Sequence, residues 1–341
     1  MKKVFLTLVA MIAATMSFAQ SSMLATLSHD GEISTYYGAT ALRDAYNASQ
    51  HGDIITLSSG SFTAVNIDKA LTIRGAGMQV DTVAKTYPTI IVGSFSINIP
   101  DSIEQRLTME GLYNNFTITV KGTLKNASFL KNRFNAINPE GSSSTRMKNL
   151  TFIHCKLAGS LTLPSESSAS CVNCYLYQPY CSHSTSSNFE FSNCIIRDVN
   201  GNMNYIKSST FTNCIIYTSY SSNSSYDRIA SSCSAFYCVG KNSYNNMFVN
   251  IPNTTNTNLT GALSTLFKTY TGSYNDNETF ELTDAAKTQY LGSDRTEVGI
   301  YGGSLPFDPT PTNPQITKCN VASKSTADGK LSVDIEVSAA E

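Results

Sequence analysis

The cysteines are the residues whose spacing most directly suggests a chemical role. The chain has nine, and Cys155, Cys174, Cys194 and Cys214 follow one another at intervals of 19, 20 and 20 residues. Residues repeated on stacked strands lie ~4.8 Å apart, whereas a disulfide requires Cβ atoms ~3.8 Å apart. We therefore interpret these four as unpaired thiols that fill a core as small apolar groups.

Two other roles are open for the cysteines. Cys181 and Cys233 stand outside the regular series and could form a disulfide. Cys171 and Cys174 together with His183 could supply ligands to zinc, which favours Cys and His. Because the repeat already explains the spacing of Cys171 and Cys174, the sequence predicts neither a metal nor any other cofactor.

Acidic residues that could cleave a polysaccharide are sparse. A glycoside hydrolase needs two carboxyl groups flanking the scissile bond, and a calcium-dependent lyase needs clustered acids together with a base. In the middle of the chain the acids are scattered, at Glu166, Glu190, Asp198 and Asp227. The one dense run of oxygen ligands, residues 275–278, lacks the spacing of a calcium loop and is interpreted as a solvated turn. The sequence therefore predicts no catalytic residue.

Aromatic and basic residues accompany the cysteine series and could bind a ligand. One place after the repeated position stand Arg133, Lys156, Tyr175, Ile195 and Ile215, and two places further on stand Asn135, Ala158, Tyr177, Arg197 and Tyr217. On stacked strands they would form one exposed strip, where flat tyrosine rings suit sugars and arginine suits acidic groups. The candidate ligand-binding residues are Tyr175, Tyr177, Arg197 and Tyr217. Alternatively, the segment near residues 245–290 covers the isoleucines, because exposed apolar strips normally have a partner.

These residues belong to a six-residue motif, which is clearest in Phe191–Ile196 and Phe211–Ile216. Its fourth positions, at 132, 155, 174, 194, 214 and 238, are 19 to 24 residues apart. Because side chains alternate along a strand, the first, fourth and sixth positions should point inward and the fifth outward. Asn at the third position fits a bend, since it tolerates left-handed backbone. His154 replaces this Asn in one copy and is interpreted as a packed bend residue instead of a catalytic base.

Upstream of the motif, Ile55, Ile73, Ile91 and Met109 are 18 residues apart, which predicts the same periodicity in shorter coils. A period near 20 residues without a Leu-rich consensus fits three short strands per coil, stacked in parallel. The predicted fold is all-β, a right-handed parallel β-helix solenoid with ~18–24 residues per coil.

A short helix is predicted at the start of the solenoid. Thr40 can cap a helix over about residues 41–49, with Leu42, Ala45 and Tyr46 on one face. Such a cap is expected because an open solenoid end would expose unpaired strand edges.

The C-terminal region differs in composition from the repeats. Four prolines within residues 306–314 predict an extended linker. Residues 315–341 predict a strand, a turn at Asp328-Gly329 and a second strand. Because a lone hairpin is marginally stable, this tail could dock on the solenoid, attach the protein to a surface or bind a protein partner.

The N-terminus predicts export. Two lysines, an apolar run from Val4 to Ala14 and a small-residue site ending at Ala19 have the order of a secretory signal peptide, residues 1–19. The protein is therefore expected in the periplasm, on the outer cell surface or outside the cell, with a β-helix domain over residues 20–305. No transmembrane segment is predicted in the mature protein. A net charge of −1 gives no electrostatic footprint for nucleic acid.

Three passages resemble the secreted bacterial right-handed β-helix proteins of the pectate-lyase-like superfamily. They are the entry from Leu42 to Gly75, the Phe-x-Asn-Cys-x-Ile coils, and Gly292–Gly303, which is similar to that group's last coil. The resemblance covers roughly residues 38–305 and implies the fold, while function depends on the site that a fold carries. The Asn-Thr-Asp and Arg-Ile-Lys signatures of polygalacturonases do not occur in the sequence. The resemblance therefore transfers no catalytic residue.

Two functions from different classes remain as expectations. The first is a non-catalytic exported protein that binds a polysaccharide, a surface glycan or another surface partner along the Tyr/Arg strip. The alternative is a polysaccharide lyase or glycoside hydrolase with a non-standard site, which requires acids, or Lys or Arg with Tyr, meeting in a groove with shifted pKa values. A purely structural adhesion module that assembles through the tail is a third interpretation.

Overall fold

The computed structural model describes residues 23–338, except for residues 83–85, 142–143, 182–186, 198–205, 207, 219–228, 230–231, 242–246, 249–250, 252–254, 271–273, 323 and 327. For residues 315–321 and 338 only the backbone is described. The predicted signal peptide and His183 lie outside the described residues. No helix within the described part is long and apolar enough to cross a membrane.

Two long sheets wind into a parallel β-solenoid of about eight turns, as the sequence predicted. In spatial order the first sheet contains β2 (Glu32–Tyr37), β1 (Leu24–His29), β3 (Ile54–Leu57), β5 (Thr72–Arg74), β8 (Thr108–Glu110), β11 (Ser128–Leu130), β14 (Leu150–Ile153), β17 (Ser168–Val172), β20 (Asn188–Ser192), β22 (Thr210–Thr212) and β24 (Ser234–Phe236). All its neighbouring strands from β3 onward are parallel.

The second sheet faces the first across the core. Its main path runs through β4 (Gly60–Thr63), β6 (Thr89–Val92), β9 (Leu112–Val120), β12 (Arg133–Pro139), β15 (Lys156–Leu157), β18 (Tyr175–Tyr177), β21 (Ile195–Arg197), β23 (Ile215–Tyr217), β25 (Val239–Lys241) and β26 (Thr257–Asn258). Three side strands join it, namely β7 (Phe95–Ile97), β16 (Leu161–Leu163) and β19 (Pro179–Cys181). A separate parallel pair consists of β10 (Thr123–Lys125) and β13 (Arg146–Lys148).

The inward positions of the motif form continuous columns in the core. Phe129, Phe152, Cys171, Phe191 and Phe211 are aligned by the strand register of the first sheet. The rings of Phe129 and Phe152 stack with centroids 4.8 Å apart, as do those of Phe191 and Phe211 at 5.0 Å. Aromatic stacking at the coil spacing therefore links one turn to the next.

The third position of the motif forms the bend between the two sheets. His154, Asn173, Asn193 and Asn213 have φ of 53°, 48°, 51° and 55°, which is left-handed backbone that Asn tolerates better than most residues. The prediction of a bend is confirmed, and His154 is buried there as a packed residue. Its Nε2 lies 3.0 Å from the carbonyl oxygen of Leu305.

The eight cysteines with described side chains are all free and buried. The interpretation of the repeated cysteines as core thiols is therefore confirmed, and Cys171 also points inward. The Cys194 thiol donates to the carbonyl oxygen of Cys171 at 3.2 Å, so the sulfur atoms satisfy backbone groups at the bends. Cys181 and Cys233 form no disulfide, and burial raises the pKa of both thiols.

One coil is twice as long as the upstream spacing predicted. Ile55, Ile73 and Met109 are consecutive in one column of the first sheet, but Ile91 lies in the second sheet opposite Phe62. The interval from Ile73 to Met109 is therefore a single coil, and the 18-residue spacing of Ile91 is a coincidence. The extra residues form a loop after β5 that contributes to the site described below.

A helix and a hairpin cover the N-terminal end. Helix α1 (Ala41–Ala48) buries Leu42, Ala45 and Tyr46, as predicted. The Thr40 hydroxyl, however, donates to the Asp44 carboxylate and does not cap the backbone. Strands β1 and β2 form an antiparallel hairpin that the sequence analysis missed, and β1 pairs with β3 to cover the edge of the first coil.

The C-terminal tail is a hairpin, as predicted. Strand β27 (Gln315–Val321) pairs antiparallel with β28 (Val333–Ser338), and Gly329 in the turn has φ of 77°. Val333, Ile335 and Val337 are exposed on β28.

Candidate functional site

The outward face of the second sheet is covered from β18 to β25. The covering segment, here called the cover, comprises residues 259–303, of which 271–273 are not described, and contains a 3-10 turn (Leu263–Thr265) and helix α2 (Asp284–Gln289). The cover and the outward face of the sheet, together with Met78 and Phe307, form a second apolar cluster outside the solenoid core. Its members are Met78, Tyr175, Ile195, Ile215, Tyr217, Val239, Leu259, Leu263, Leu266, Phe267, Phe280, Leu282, Ala286, Val298, Ile300 and Phe307. The alternative that a later segment covers the isoleucines is therefore confirmed, but that segment is residues 259–303 instead of 245–290, and Gly299 lies against both Ile195 and Ile215.

The predicted Tyr/Arg strip is not an exposed surface. Tyr175 and Tyr217 are 0% and 1% exposed, and Arg197 is 7% exposed. The Tyr175 ring stacks on Phe280 of the cover with centroids 4.4 Å apart. Tyr177 is partly buried, and the Arg197 guanidinium lies 5.8 Å from its ring centre. The prediction of exposure was wrong, because the rings of Tyr175 and Tyr217 pack against Phe280 and Phe267 of the cover.

The bend asparagines hold the cover in place. The Asn173 Nδ2 donates to the carbonyl oxygens of Ile300 and Gly302 at 2.7 and 2.8 Å. The Asn213 side-chain oxygen accepts from the backbone N–H of Ser293 at 2.9 Å. The segment Gly292–Gly303, which resembled a last coil, therefore adds no turn to the solenoid; it runs along the bends and supplies their polar partners.

A charged cluster marks the edge where the cover ends. Arg133, on β12, donates from Nε to Asp276 Oδ1 at 2.8 Å. Tyr274 and Tyr113 also donate to the Asp276 carboxylate, at 2.8 and 3.2 Å. The Arg133 guanidinium lies 4.6 Å from the Tyr113 ring centre. Burial alone would raise the pKa of Asp276, but the hydrogen bonds from Tyr274 and Arg133 hold it below its ordinary value.

Lys156 lies one coil further on, and its ammonium group is poorly paired. The residue is 5% exposed, and its Nζ donates to Gln79 Oε1 and to the carbonyl oxygens of Asp276 and Glu278 at 3.3 to 3.4 Å. These distances exceed those of ordinary N–H···O hydrogen bonds. Within the described part of the chain, Lys156 forms no ion pair with a carboxylate. Burial lowers the pKa of Lys156 to about 8, although the Asp276 and Glu278 carboxylates act in the opposite direction.

Lys156 lines an open cavity of about 460 Å³, here called the Lys156 groove. Its other lining residues are Gln79, Val80, Thr82, Asp276, Asn277, Glu278, Thr279, Tyr301, Phe307 and Pro309. A second cavity of about 460 Å³ shares Gln79, Val80, Thr82 and Pro309 with it. This volume is within the range of small-ligand sites. The lining combines polar groups with aromatic and proline side chains.

One wall of the groove is the C-terminal strap, residues 304–313, which returns along the solenoid toward the early coils. Lys131 Nζ pairs with Asp308 Oδ2 at 3.2 Å. Glu110 Oε1 accepts from both the backbone N–H and the hydroxyl of Thr312 at 2.7 Å. Asn313 Nδ2 donates to the carbonyl oxygen of Gly75 at 2.8 Å. The predicted linker is therefore docked over most of its length.

Comparison with known proteins adds nothing to these observations: no family model matches the sequence, and neither do any curated protein or solved structure.

The residues of this site are recognisable in the sequence, but their proximity in space is not. Arg133 and Lys156 were recognised as outward residues, and residues 275–278 were interpreted as a solvated turn. In the structure Asp276 of this run binds Arg133, so the turn is docked on the sheet. The signal that could have predicted this contact is the presence of two basic residues in an otherwise apolar outward column, combined with one isolated acidic run later in the chain. In the described residues, no group of three or more His, Cys, Asp or Glu side chains is placed to hold a metal ion.

Proposed function

We propose that the protein is an exported, non-catalytic β-solenoid that binds a glycan in the Lys156 groove. The single observation that carries the proposal is a poorly paired, nearly buried ammonium group at an open groove with polar and aromatic walls. The groove replaces the Tyr/Arg strip as the binding surface, because the strip is covered by the chain itself.

The chemistry of the walls suits a sugar. Tyr301 and Phe307 lie edge to face with ring centroids 6.1 Å apart, and apolar ring faces pack well against the C–H faces of sugars. Gln79, Asn277 and Thr279 supply amide and hydroxyl groups that can exchange hydrogen bonds with sugar hydroxyls. At pH 7 about nine in ten Lys156 side chains are protonated if the pKa is about 8, so the ammonium can donate to hydroxyl or acidic oxygens.

Affinity gel electrophoresis through a panel of neutral and acidic polysaccharides tests the proposal. We expect retardation of the mature protein by at least one intact polymer. Lys156→Met should abolish most of this retardation, since it removes the ammonium while keeping the volume of the side chain. The matched control is Lys148→Met, which changes an exposed lysine of β13 and should migrate like the unchanged protein.

Each result of this experiment has a defined meaning. Equal retardation of Lys156→Met and the unchanged protein would place binding outside the groove. Absence of retardation on every polymer would refute glycan binding and favour the protein-partner or scaffold interpretation. Staining the gels for polymer detects cleavage, which would refute the non-catalytic proposal.

A polysaccharide lyase or hydrolase remains the second candidate, and one observation favours it. Lys156, with its lowered pKa, and the Asp276 and Glu278 residues line the same groove. A lysine whose pKa lies near neutrality can act as a general base. A basic residue of shifted pKa beside acids in one groove is what the enzyme hypothesis required. Against it, the Asp276 carboxylate is already bound to Arg133 and two tyrosines. A zone of cleared polymer whose extent depends on Lys156 would establish this alternative.

The remaining parts of the proposal rest on the sequence. Export is inferred from the order of residues 1–19, and cleavage near Ala19 can be tested by N-terminal sequencing of the secreted protein. A relationship to the bacterial pectate-lyase-like superfamily is inferred from the three passages described above, together with the parallel β-solenoid.

A further inference from the structure

The two buried basic residues near the groove are held differently. Arg133 is 7% exposed and forms a close ion pair with Asp276. Lys156 is as deeply buried, yet among the described residues its nitrogen faces three neutral oxygen atoms at 3.3 to 3.4 Å and the Phe307 ring centre at 5.7 Å, with no carboxylate at ion-pair distance. A buried ammonium without a carboxylate partner is costly, so Lys156 gives up its proton more readily than an exposed lysine does.

A neutral amine at the wall of an open cavity is a nucleophile with room for a small electrophile. Lysine amines that have lost their proton add to carbonyl groups, whereas a guanidinium keeps its charge and does not. The Lys156 groove has the volume for such a compound, and its polar walls suit a hydroxylated one. We propose that Lys156 is a covalent capture site that forms an imine with small hydroxylated aldehydes, such as the open-chain end of a reducing sugar.

The reaction balances without a further reagent. Lys156 first releases its proton to solvent, and the Nζ lone pair then adds to the aldehyde carbon to give a carbinolamine. Loss of one water molecule gives the imine, so the C=O bond is replaced by C=N and no group is oxidised or reduced. The bond is reversible, because water can add back to the imine.

Reductive trapping with glycolaldehyde and sodium cyanoborohydride tests the proposal. The full mature chain is labelled at pH 7, and peptide mass spectrometry measures the rate at each lysine. A pKa of about 8 instead of 10.5 raises the free-amine fraction at pH 7 roughly 300-fold. The weaker basicity and the buried position reduce this advantage, so we expect Lys156 to react about ten times faster than the exposed Lys148.

The pH profile separates a reactive amine from an accidental difference in access. The ratio of the labelling rate at Lys156 to that at Lys148 should be largest near pH 7 and should fall as the pH rises above about 8, where the Lys156 amine is already largely free. Taking the ratio also cancels the pH dependence of the cyanoborohydride reduction. The proposal would be overturned if Lys156 is labelled no faster than Lys148, or if the ratio of the two labelling rates does not change with pH. Because the label is read at a named residue, the result does not depend on whether any polysaccharide is retained on a gel.

Discussion

The solenoid core and the covered face of the second sheet both bury rows of stacked side chains, but they are completed in different ways. In the core, Phe191 contacts Phe211 of the next coil, and each coil supplies the partner of its neighbour. On the covered face, Tyr175 contacts Phe280, and Asn173 binds Ile300, which is 127 residues away. The first kind of packing is local and additive, whereas the second depends on one distant segment.

The largest effect is expected from a change in the core. Phe191→Ala removes a ring that stacks on Phe189 and Phe211, and it should lower the free energy of unfolding by about 3–5 kcal/mol. Urea denaturation followed by circular dichroism measures the loss. A loss below about 1 kcal/mol would contradict the view that the aromatic column links successive coils.

A change in the cover should act locally. Phe280→Ala removes the ring stacked on Tyr175 and should weaken the cover by about 2–4 kcal/mol. Hydrogen exchange should then become faster in residues 263–290, while the amides of β17 and β20 keep their protection. Equal loss of protection in the core and the cover would show that the two regions unfold as one unit.

Removal of the buried charge should stabilise the protein. Lys156→Met replaces a poorly paired ammonium by an apolar chain of similar size, and at pH 7 it should raise the free energy of unfolding by about 2–3 kcal/mol. The folded pKa of Lys156 is lowered, so below pH 8 both states are protonated and the cost is complete. Between about pH 8 and 10.5 the unfolded state binds more protons, and stability should rise with pH.

Chemical denaturation at pH 7 and pH 10 checks this expectation. The unchanged protein and the Lys148→Met control should gain stability relative to the Lys156→Met variant as the pH rises, so the advantage of the variant shrinks. An advantage that is the same at both pH values would mean that the ammonium is not the source of the cost.

The smallest effect is expected at a bend. Asn173→Gly keeps the left-handed backbone but removes the two hydrogen bonds to the cover, which should cost about 1–2 kcal/mol. Asn126→Gly is the matched control, since Asn126 also has a positive φ and its side-chain oxygen accepts a hydrogen bond from the exposed Asn149 instead of from the cover. Thermal unfolding of both variants should show a lower midpoint for Asn173→Gly. Equal midpoints would mean that the Asn173 side chain does not help to hold the cover on the solenoid.

Local signals predicted the solenoid well. The alternation within Phe191–Ile196 and the bend residue at its third position act within one coil, so the repeat is visible in the sequence itself. The outward isoleucines raised the alternative of a cover, but periodicity cannot identify which residues of a later, non-repeating segment contact them. Pairing of Arg133 with Asp276 was missed for the same reason, since 143 residues separate them.

Periodicity also misled the analysis at one point. Ile91 satisfied the 18-residue spacing although it belongs to the opposite sheet, because both sheets bury β-branched residues and a spacing of 18 does not distinguish them. The long coil that was overlooked is the one that supplies Gln79 and Val80 to the groove. A deviation from the repeat was therefore the best pointer to the candidate site.

The docked strap has a consequence for the way this chain folds. Coils can stack in the order of synthesis, because each new strand pairs with the one before it. The contacts of Glu110 with Thr312 and of Gly75 with Asn313, however, close loops of 202 and 238 residues. During synthesis, the tyrosines and isoleucines of the second sheet stay open to other chains until residues 259–303 have been made. Folding of this protein therefore begins as a quick, local process and ends with a slow closure, and the interval between them is the period of greatest risk of aggregation.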